Sequence, residues 1–188
     1  MIDRFRARRH SELGALLDRP EVIEALAEFG TPLLFLDVDR VRLQYRRLAR
    51  ALPEVRMHYA LKALAEPEVI DALRDEGGCF DVASLEELDA VNSRGVSARR
   101  VIYTHPIKTP AEIDGAYAKG VRTFVIDNLS ELAKFAGCEP DVRLLVRPSY
   151  PHPGAGCDLS SKFGVDAARA GALVERALHQ HISVAGFS

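Results

Sequence analysis

The segment Cys79–Gly95 reads CFDVASLEELDAVNSRG and contains a strand signal, a helix cap, a helix and a helix stop in that order. Its first five residues form a short apolar run with β-forming side chains. Ser84 and Glu87 follow with the S/T-x-x-E spacing of a capping box, which satisfies free amides in the first helical turn. Gly95 then suits the end of the helix. The segment therefore predicts one βα unit.

The same unit recurs along the chain. Strand-like runs begin 22, 22, 20, 21 and 40 residues apart; they are Met57–Lys62, Cys79–Ala83, Val101–His105, Val121–Ile126, Val142–Arg147 and Ile182–Phe187. Two further caps separate them, Thr109–Glu112 with Pro110 at the first helical position, and Asn128–Glu131. Gly120 and Gly137 are typical of the helix ends that follow.

Repeated βα units predict an α/β fold with a parallel sheet. Equal spacing without a GxGxxG turn favours a (β/α)8 TIM-type barrel over a doubly wound sheet, although such a barrel has eight strands and about 250 residues. Six barrel strands are found here, so we expect an incomplete barrel over residues 31–188 after a helical lead-in over residues 1–30.

Three local features complete this prediction. Pro20–Phe29 reads as a helix closed by Gly30, and Leu33–Asp37 as an extra strand. An apolar stripe predicts a helix face turned towards the sheet; it consists of Val41, Tyr45, Leu48 and Leu52.

Composition excludes several classes of protein. The 188 residues carry 25 Lys and Arg against 27 Asp and Glu, so a net charge of −2 argues against a nucleic-acid groove. No apolar run reaches the roughly 18 residues of a membrane span, and the basic start lacks the apolar region of a secretory signal, so we expect a cytoplasmic protein. Three scattered cysteines predict reduced thiols, and no histidine or cysteine spacing predicts a metal site.

The chemistry of a barrel lies where its strands end. Lys62 closes an apolar run that would partly desolvate its amine and favour imine formation, although a strand-end lysine also reaches water by its length. Asp81 orients a neighbour or begins a loop, and Arg147 binds an anion or forms a surface ion pair. The other strand-like runs end at His105, Asp127 and Ser188. The irregular segment Pro148–Gly164 forms either a lid over the barrel mouth or a surface loop.

Six collinear segments resemble the fold-type III pyridoxal-phosphate decarboxylases, the ornithine and diaminopimelate decarboxylase family. They are Tyr59–Ala63, Phe80–Ser84 with Glu87, Val101–Lys108, Asp127 with Glu131 and Leu132, Leu145–Arg147, and Ser161–Gly164. The resemblance implies an alanine racemase-like barrel, the cofactor pyridoxal 5'-phosphate and a homodimer acting on an amino acid. By resemblance, Lys62 carries the cofactor as a Schiff base, Asp81, Glu87 and Arg147 surround it, and Lys162 lies at the dimer interface beside the active-site mouth.

In this family the barrel continues beyond a segment similar to Gly186–Ser188, through a glycine-rich phosphate loop to a C-terminal β-domain. We therefore expect the sequence to correspond to the N-terminal part of such an enzyme and to be inactive alone; carbon dioxide release by the purified chain would contradict this. Ornithine or a similar basic amino acid is the expected substrate. Such an enzyme would act in polyamine biosynthesis. The alternatives are a diaminopimelate decarboxylase, an amino-acid racemase, and a non-catalytic or regulatory homologue with the same barrel.

Overall fold

The computed structural model of the chain describes residues 14–151, 154, 160 and 162–188, in two compact units that divide between Asp37 and Val38. In the first unit, helix α1 (Pro20–Phe29) begins with a proline and ends at Gly30, which adopts a φ of 71°. Both features of this helix were predicted correctly. The domain boundary after residue 30 stays a prediction.

The second unit is built on a parallel sheet. Its strands, with two short ones that pair separately, are β1 (His58–Ala60), β2 (Cys79–Val82), β3 (Val101–Tyr103), β4 (Thr123–Ile126), β5 (Arg143–Val146), β6 (Pro148–Ser149), β7 (Val165–Asp166) and β8 (Ser183–Phe187). Among the described residues, six strands form this sheet in the order β1-β2-β3-β4-β5-β8, and β6 pairs with β7. Every predicted strand of the repeating series is therefore confirmed.

In the described part of this unit, one helix precedes the six-stranded sheet and five connect its successive strands. They are α2 (Val38–Ala51), α3 (Pro67–Asp75), α4 (Leu85–Ser93), α5 (Pro110–Ala118), α6 (Leu129–Ala133) and α7 (Ala167–His179). Thr109 and Glu112 form the full reciprocal capping box of α5. Ser84 and Asn128 accept the predicted backbone N–H groups of α4 and α6, but the glutamates at those two starts bind elsewhere.

The strand order decides between the two α/β architectures. Each strand pairs in parallel with the next one along the chain, with matched registers such as Tyr59 beside Phe80 and Phe80 beside Val101. A doubly wound sheet would reverse its order at a switch point, and this sheet has no reversal among its described strands. The sheet is thus an arc of a (β/α) barrel, as predicted.

One face of the sheet makes the core. On strands β2 to β5, alternate residues point towards the helices and are almost completely buried; they include Phe80, Val82, Tyr103, Phe124, Ile126, Leu144 and Val146. The aromatic rings of Phe124 and Phe135 lie 5.5 Å apart at its centre. This packed face holds the strands so that their opposite face and their carboxyl ends can carry polar side chains.

Two local predictions were wrong. Leu33–Asp37 joins neither sheet in the described chain, and Leu34 is 95% exposed. An apolar run forms a strand only when a neighbouring backbone is in register to pair with it. On α2, Val41 and Tyr45 do pack against the core, but Leu48 and Leu52 are exposed, because only the first half of this helix faces α3 and the sheet.

The predicted lid is described in part. β6 and β7 bracket it, while residues 152–153, 155–159 and 161 lie outside the described residues, as does Cys157. Cys79 and Cys138 are free thiols. In the described part of the chain, no helix has both the length and the apolar character that a membrane crossing requires.

Candidate active site

Polar side chains gather at the carboxyl ends of the parallel strands. Asp81 on β2 points away from the core, because its neighbours Phe80 and Val82 point into it. The register pairs Asp81 with Ala60 on one side and Ile102 on the other. Lys62, Thr104 and Arg147 follow the ends of β1, β3 and β5. These four residues lie along one rim of the sheet, as strand-end positions in a barrel must.

Lys62 lies in a 3-10 turn, Leu61–Ala63, that directly follows β1. Leu61 is completely buried and anchors the turn, and the Tyr59 hydroxyl donates to the Leu64 carbonyl at 3.1 Å across it. Lys62 itself is exposed. The turn thus places an exposed lysine directly after a completely buried leucine, and the partial desolvation of its amine stays a prediction.

Asp81 is the half-buried carboxylate of this rim. Burial raises the pKa of Asp81, and the hydroxyl of Thr104, which donates to Oδ1, opposes that rise. The charges of Lys62, His58 and Arg147 act in the same direction as the hydroxyl, so these groups are close enough to influence the carboxylate. The structure thus places Lys62, Asp81 and Arg147, which the sequence picked out, at the same end of the parallel strands.

Arg147 is held by its backbone and by an aromatic ring. Its N–H donates to the Ile126 carbonyl, and its own carbonyl accepts the Val165 N–H, both at 2.9 Å. The guanidinium lies 5.3 Å from the ring centroid of Phe163, and that ring meets the imidazole of His105 edge-on, with centroids 6.0 Å apart. Phe163 therefore links the ends of β3 and β5, a role that the sequence analysis missed.

Asp127 anchors the loop that carries Phe163. Its Oδ2 accepts the Gly164 N–H at 2.9 Å, and its Oδ1 accepts the Asn128 side-chain amide at 2.7 Å. Gly164 has a φ of +93°, and a side chain there would meet the Cβ of Ser149 at 2.9 Å. Asp127 is thus nearly buried and bound to backbone, so it serves the geometry of the rim instead of pointing into it.

Glu87 and Lys162 lie apart from this cluster. The Glu87 carboxylate accepts the Ala83 N–H at 2.6 Å and so supports the loop that follows Asp81. Lys162 is exposed in the turn before Phe163. Among the described residues, neither side chain forms a hydrogen bond or an ion pair with Lys62, Asp81 or Arg147. Their predicted roles stay predictions.

A buried ion pair below the rim was not predicted. Lys108 Nζ lies 2.9 Å from Glu131 Oε1 and also donates to the carbonyls of Val125 at 2.7 Å and His105 at 2.9 Å. Lys134 Nζ binds the other oxygen of Glu131 at 2.6 Å. Burial lowers the pKa of Lys108, and Glu131 opposes that shift. Because Glu131 lies three residues after Asn128, the sequence pattern predicted only a helix cap and not the ion pair with Lys108.

His58 was also missed. It lies on β1 in register with Cys79, on the same sheet face as Asp81, with Nδ1 3.4 Å from the Phe80 carbonyl oxygen. Burial lowers the pKa of His58. Side chains two residues apart on a strand point to the same face, so counting back from Lys62 through Ala60 could have identified His58 from the sequence. In the described chain no group of three His, Cys, Asp or Glu side chains is arranged to hold a metal ion.

Residues 38–188 match the protein family described as pyridoxal-dependent decarboxylase, pyridoxal binding domain. The chain belongs to this family. Its partial TIM-type barrel is similar to part of the longer TIM-barrel decarboxylases whose structures are solved. The resemblance and the fold class inferred from the sequence are both confirmed.

Individual relatives give the extent of the likeness. The ornithine decarboxylase of Caenorhabditis elegans is 34% identical over 164 residues, which are 87% of this chain and 39% of that protein. The lysine/ornithine decarboxylase of Vibrio vulnificus, solved in complex with cadaverine, has 45% identity and a TM-score of 0.80, covering 89% of this chain and 44% of that one. The arginine decarboxylase of Paramecium bursaria Chlorella virus has 27% identity and a TM-score of 0.82, with coverages of 88% and 45%. The chain therefore spans less than half the length of each.

The chemistry of the rim suits the cofactor class of this family. A primary amine can bond covalently to an aldehyde, and a guanidinium and a carboxylate can bind the polar substituents of an aromatic ring. Lys62, Arg147 and Asp81 supply these three groups on one open edge of the sheet.

Proposed function

We propose that this chain forms the cofactor-bearing barrel of a pyridoxal 5'-phosphate-dependent carboxy-lyase that decarboxylates a basic amino acid, with ornithine first. The observation that carries the proposal is that Lys62, an exposed residue, lies on the same rim as Asp81 and Arg147. An amine in the open can reach an aldehyde that enters from solvent. A carboxylate within electrostatic range of that amine can accept its proton.

Each rim residue then has a distinct task. Lys62 is the covalent attachment point, and Asp81 orients the amine and takes part in its proton transfer. Arg147, held against Phe163, binds an anionic or polar group of the ligand with its planar fork of donors. Pyridoxal phosphate, when bound, supplies an electron sink for the bond that is broken at the α-carbon.

Glu87 and Lys162 have supporting tasks in this proposal. Glu87 holds the backbone after Asp81 through the Ala83 N–H, so it keeps the carboxylate at the rim. Lys162, exposed beside Phe163, would contact the substrate entrance or a second copy of the protein in a homodimer.

The preference for a basic substrate rests on the relatives. Their names specify ornithine, lysine and arginine, three amino acids that share a cationic side chain. The proposal therefore extends to the class, with ornithine as its leading member and diaminopimelate as the competing substrate.

A labelling experiment tests the attachment site. The chain is mixed with pyridoxal 5'-phosphate, reduced with borohydride and digested, and the modified lysine is located by mass spectrometry. We expect modification at Lys62 and its loss in Lys62→Arg, which keeps the charge. Lys119→Arg is the matched control, since Lys119 is an exposed lysine paired with Asp89. Equal modification of Lys62 and Lys119 would contradict the assignment.

The same assay addresses the substrate. An amino acid that binds at this rim competes with Lys62 for the aldehyde, so ornithine should reduce the labelling of Lys62 more than its neutral analogue norvaline does. Diaminopimelate and arginine complete the series. Exchange of the substrate α-proton in heavy water without carbon dioxide release would indicate racemisation and would contradict decarboxylation.

A further inference from the structure

Asp81 is hydrogen-bonded to Thr104, a residue that has no part in the proposed chemistry of the rim. The carboxylate binds the Thr104 hydroxyl through Oδ1, and its Oδ2 accepts no hydrogen bond from the described residues. One oxygen is therefore held by the hydroxyl, and the other has no hydrogen-bond donor among the described residues. A carboxylate tied at one oxygen has fewer orientations than one that rotates freely, which is the usual benefit of a supporting hydrogen bond to a functional group.

Thr104 is itself rigidly placed. Its backbone N–H donates to the Val82 carbonyl at 2.9 Å, which continues the β2–β3 ladder by one residue past Tyr103. Tyr103 is completely buried, so the strand cannot shift at this point without opening the core. A threonine is also restricted at χ1 by its branched Cβ. The hydroxyl is thus delivered to Asp81 by fixed backbone and by a stiff side chain.

We propose that Thr104 is a positioning residue for Asp81: its hydroxyl binds Oδ1 and so fixes the orientation of the carboxylate on the rim that also carries Lys62. This inference rests on the function proposed above only in the use made of Lys62. The hydrogen bond between Thr104 and Asp81, and its effect on the carboxylate, belong to the chain whether or not a cofactor binds.

The charges around Asp81 favour the same state. Lys62 after β1, His58 on β1 and Arg147 after β5 all favour the ionised carboxylate, whereas burial disfavours it. Thr104 supplies the hydroxyl donor in this set. If the hydroxyl is removed, burial meets less opposition, so the pKa of Asp81 rises further and the carboxylate protonates at a higher pH.

The test uses Thr104→Val, which keeps the shape and removes the hydroxyl, and Thr104→Ser, which keeps the hydroxyl. Thr123→Val is the matched control, because Thr123 lies on the same sheet face on β4, away from Asp81. The pKa of Asp81 is measured by carbon-13 NMR of its carboxyl, assigned with Asp81→Asn. We expect a rise of about one unit, a tenfold change in proton affinity, in Thr104→Val alone.

Two readouts separate this inference from the proposed function. An unchanged Asp81 pKa in Thr104→Val would overturn the inference, even if Lys62 is labelled by pyridoxal phosphate. If the Asp81 pKa is raised in Thr104→Val and returns to its original value in Thr104→Ser, the inference is supported, even if Lys62 is not labelled. If Thr104→Val does not fold, Thr104→Ala takes its place in the same titration. Where Lys62 is labelled, the rate of labelling at a pH near the Asp81 pKa found in the titration should fall in Thr104→Val and recover in Thr104→Ser.

Discussion

The buried pair of Lys108 and Glu131 offers the sharpest test of the energetics of this fold. We expect Glu131→Gln to destabilise the protein by about 4 kcal/mol, since removing one partner of a buried ion pair leaves the other charge uncompensated, at a typical cost of about 3–5 kcal/mol. The side chains of Lys108 and Glu131 are 0% and 2% exposed, so water cannot replace the missing carboxylate charge. A loss of this size is a large part of the total stability of an ordinary domain.

The geometry also predicts an asymmetry between the two partners. In Lys108→Met, Glu131 keeps the ammonium of Lys134 at 2.6 Å, so its charge is still compensated. The change does leave the carbonyls of Val125 and His105 without their ammonium donor, and at about 1–3 kcal/mol for each buried unsatisfied group the two cost about 2–6 kcal/mol. Lys108→Met should therefore destabilise the protein through two unsatisfied carbonyls, whereas Glu131→Gln does so through an uncompensated charge.

The assay is equilibrium unfolding in urea at neutral pH. Lys119→Ala serves as the control, because its partner Asp89 is exposed and such surface pairs contribute about 0–1 kcal/mol. If Glu131→Gln costs no more than Lys119→Ala, the argument from burial is refuted.

Three further predictions concern the sheet and its loops. Burial lowers the pKa of His58, so as the pH falls below about 6.5 the histidine is protonated in the unfolded chain before it is protonated in the folded one. The free energy of unfolding should therefore fall more steeply between about pH 7 and about pH 5 than it does in His58→Phe. Urea unfolding at several pH values measures this, and an equal pH dependence in both proteins would contradict it. Gly164→Ala should lower the free energy of unfolding by about 1–3 kcal/mol, because residue 164 has a positive φ and a side chain there would clash with Ser149. Gly171→Ala, at a helical position on α7 with open space around it, should raise that free energy. Thermal unfolding of both variants checks the difference, and equal changes in melting temperature would rule out strain at residue 164. Thr109→Ala should cost about 1 kcal/mol by removing the capping box of α5, as measured by chemical denaturation, and Thr109→Ser should restore most of it.

Local sequence was sufficient where structure depends on neighbours along the chain. The helix that begins at Thr109 follows from one hydroxyl and one carboxylate three residues apart, and the end of α1 follows from Gly30. The order of strand-like runs and caps also predicted the parallel barrel arc, because short βα connections leave few other ways to pair the strands. The position of Lys62, Asp81 and Arg147 at one rim followed from that architecture.

Contacts between distant segments could not be read in this way. Leu33–Asp37 has the composition of a strand, yet no backbone pairs with it in the described chain. The spacing of Glu131 predicts a helix cap, while the fold sends its carboxylate to Lys108, 23 residues earlier. Spacing describes a single element, and it contains no information about which side chain an adjacent element brings near.

The sequence by itself determined the βα repeat, the parallel order of the sheet and the family, because each depends on local signals or on collinear motifs. Only the tertiary structure decided the exposure of Lys62, the hydroxyl that holds Asp81, the ring that Arg147 packs against and the partner of Glu131. Each of these depends on side chains that lie near one another only after the strands have paired, at distances that no local pattern specifies.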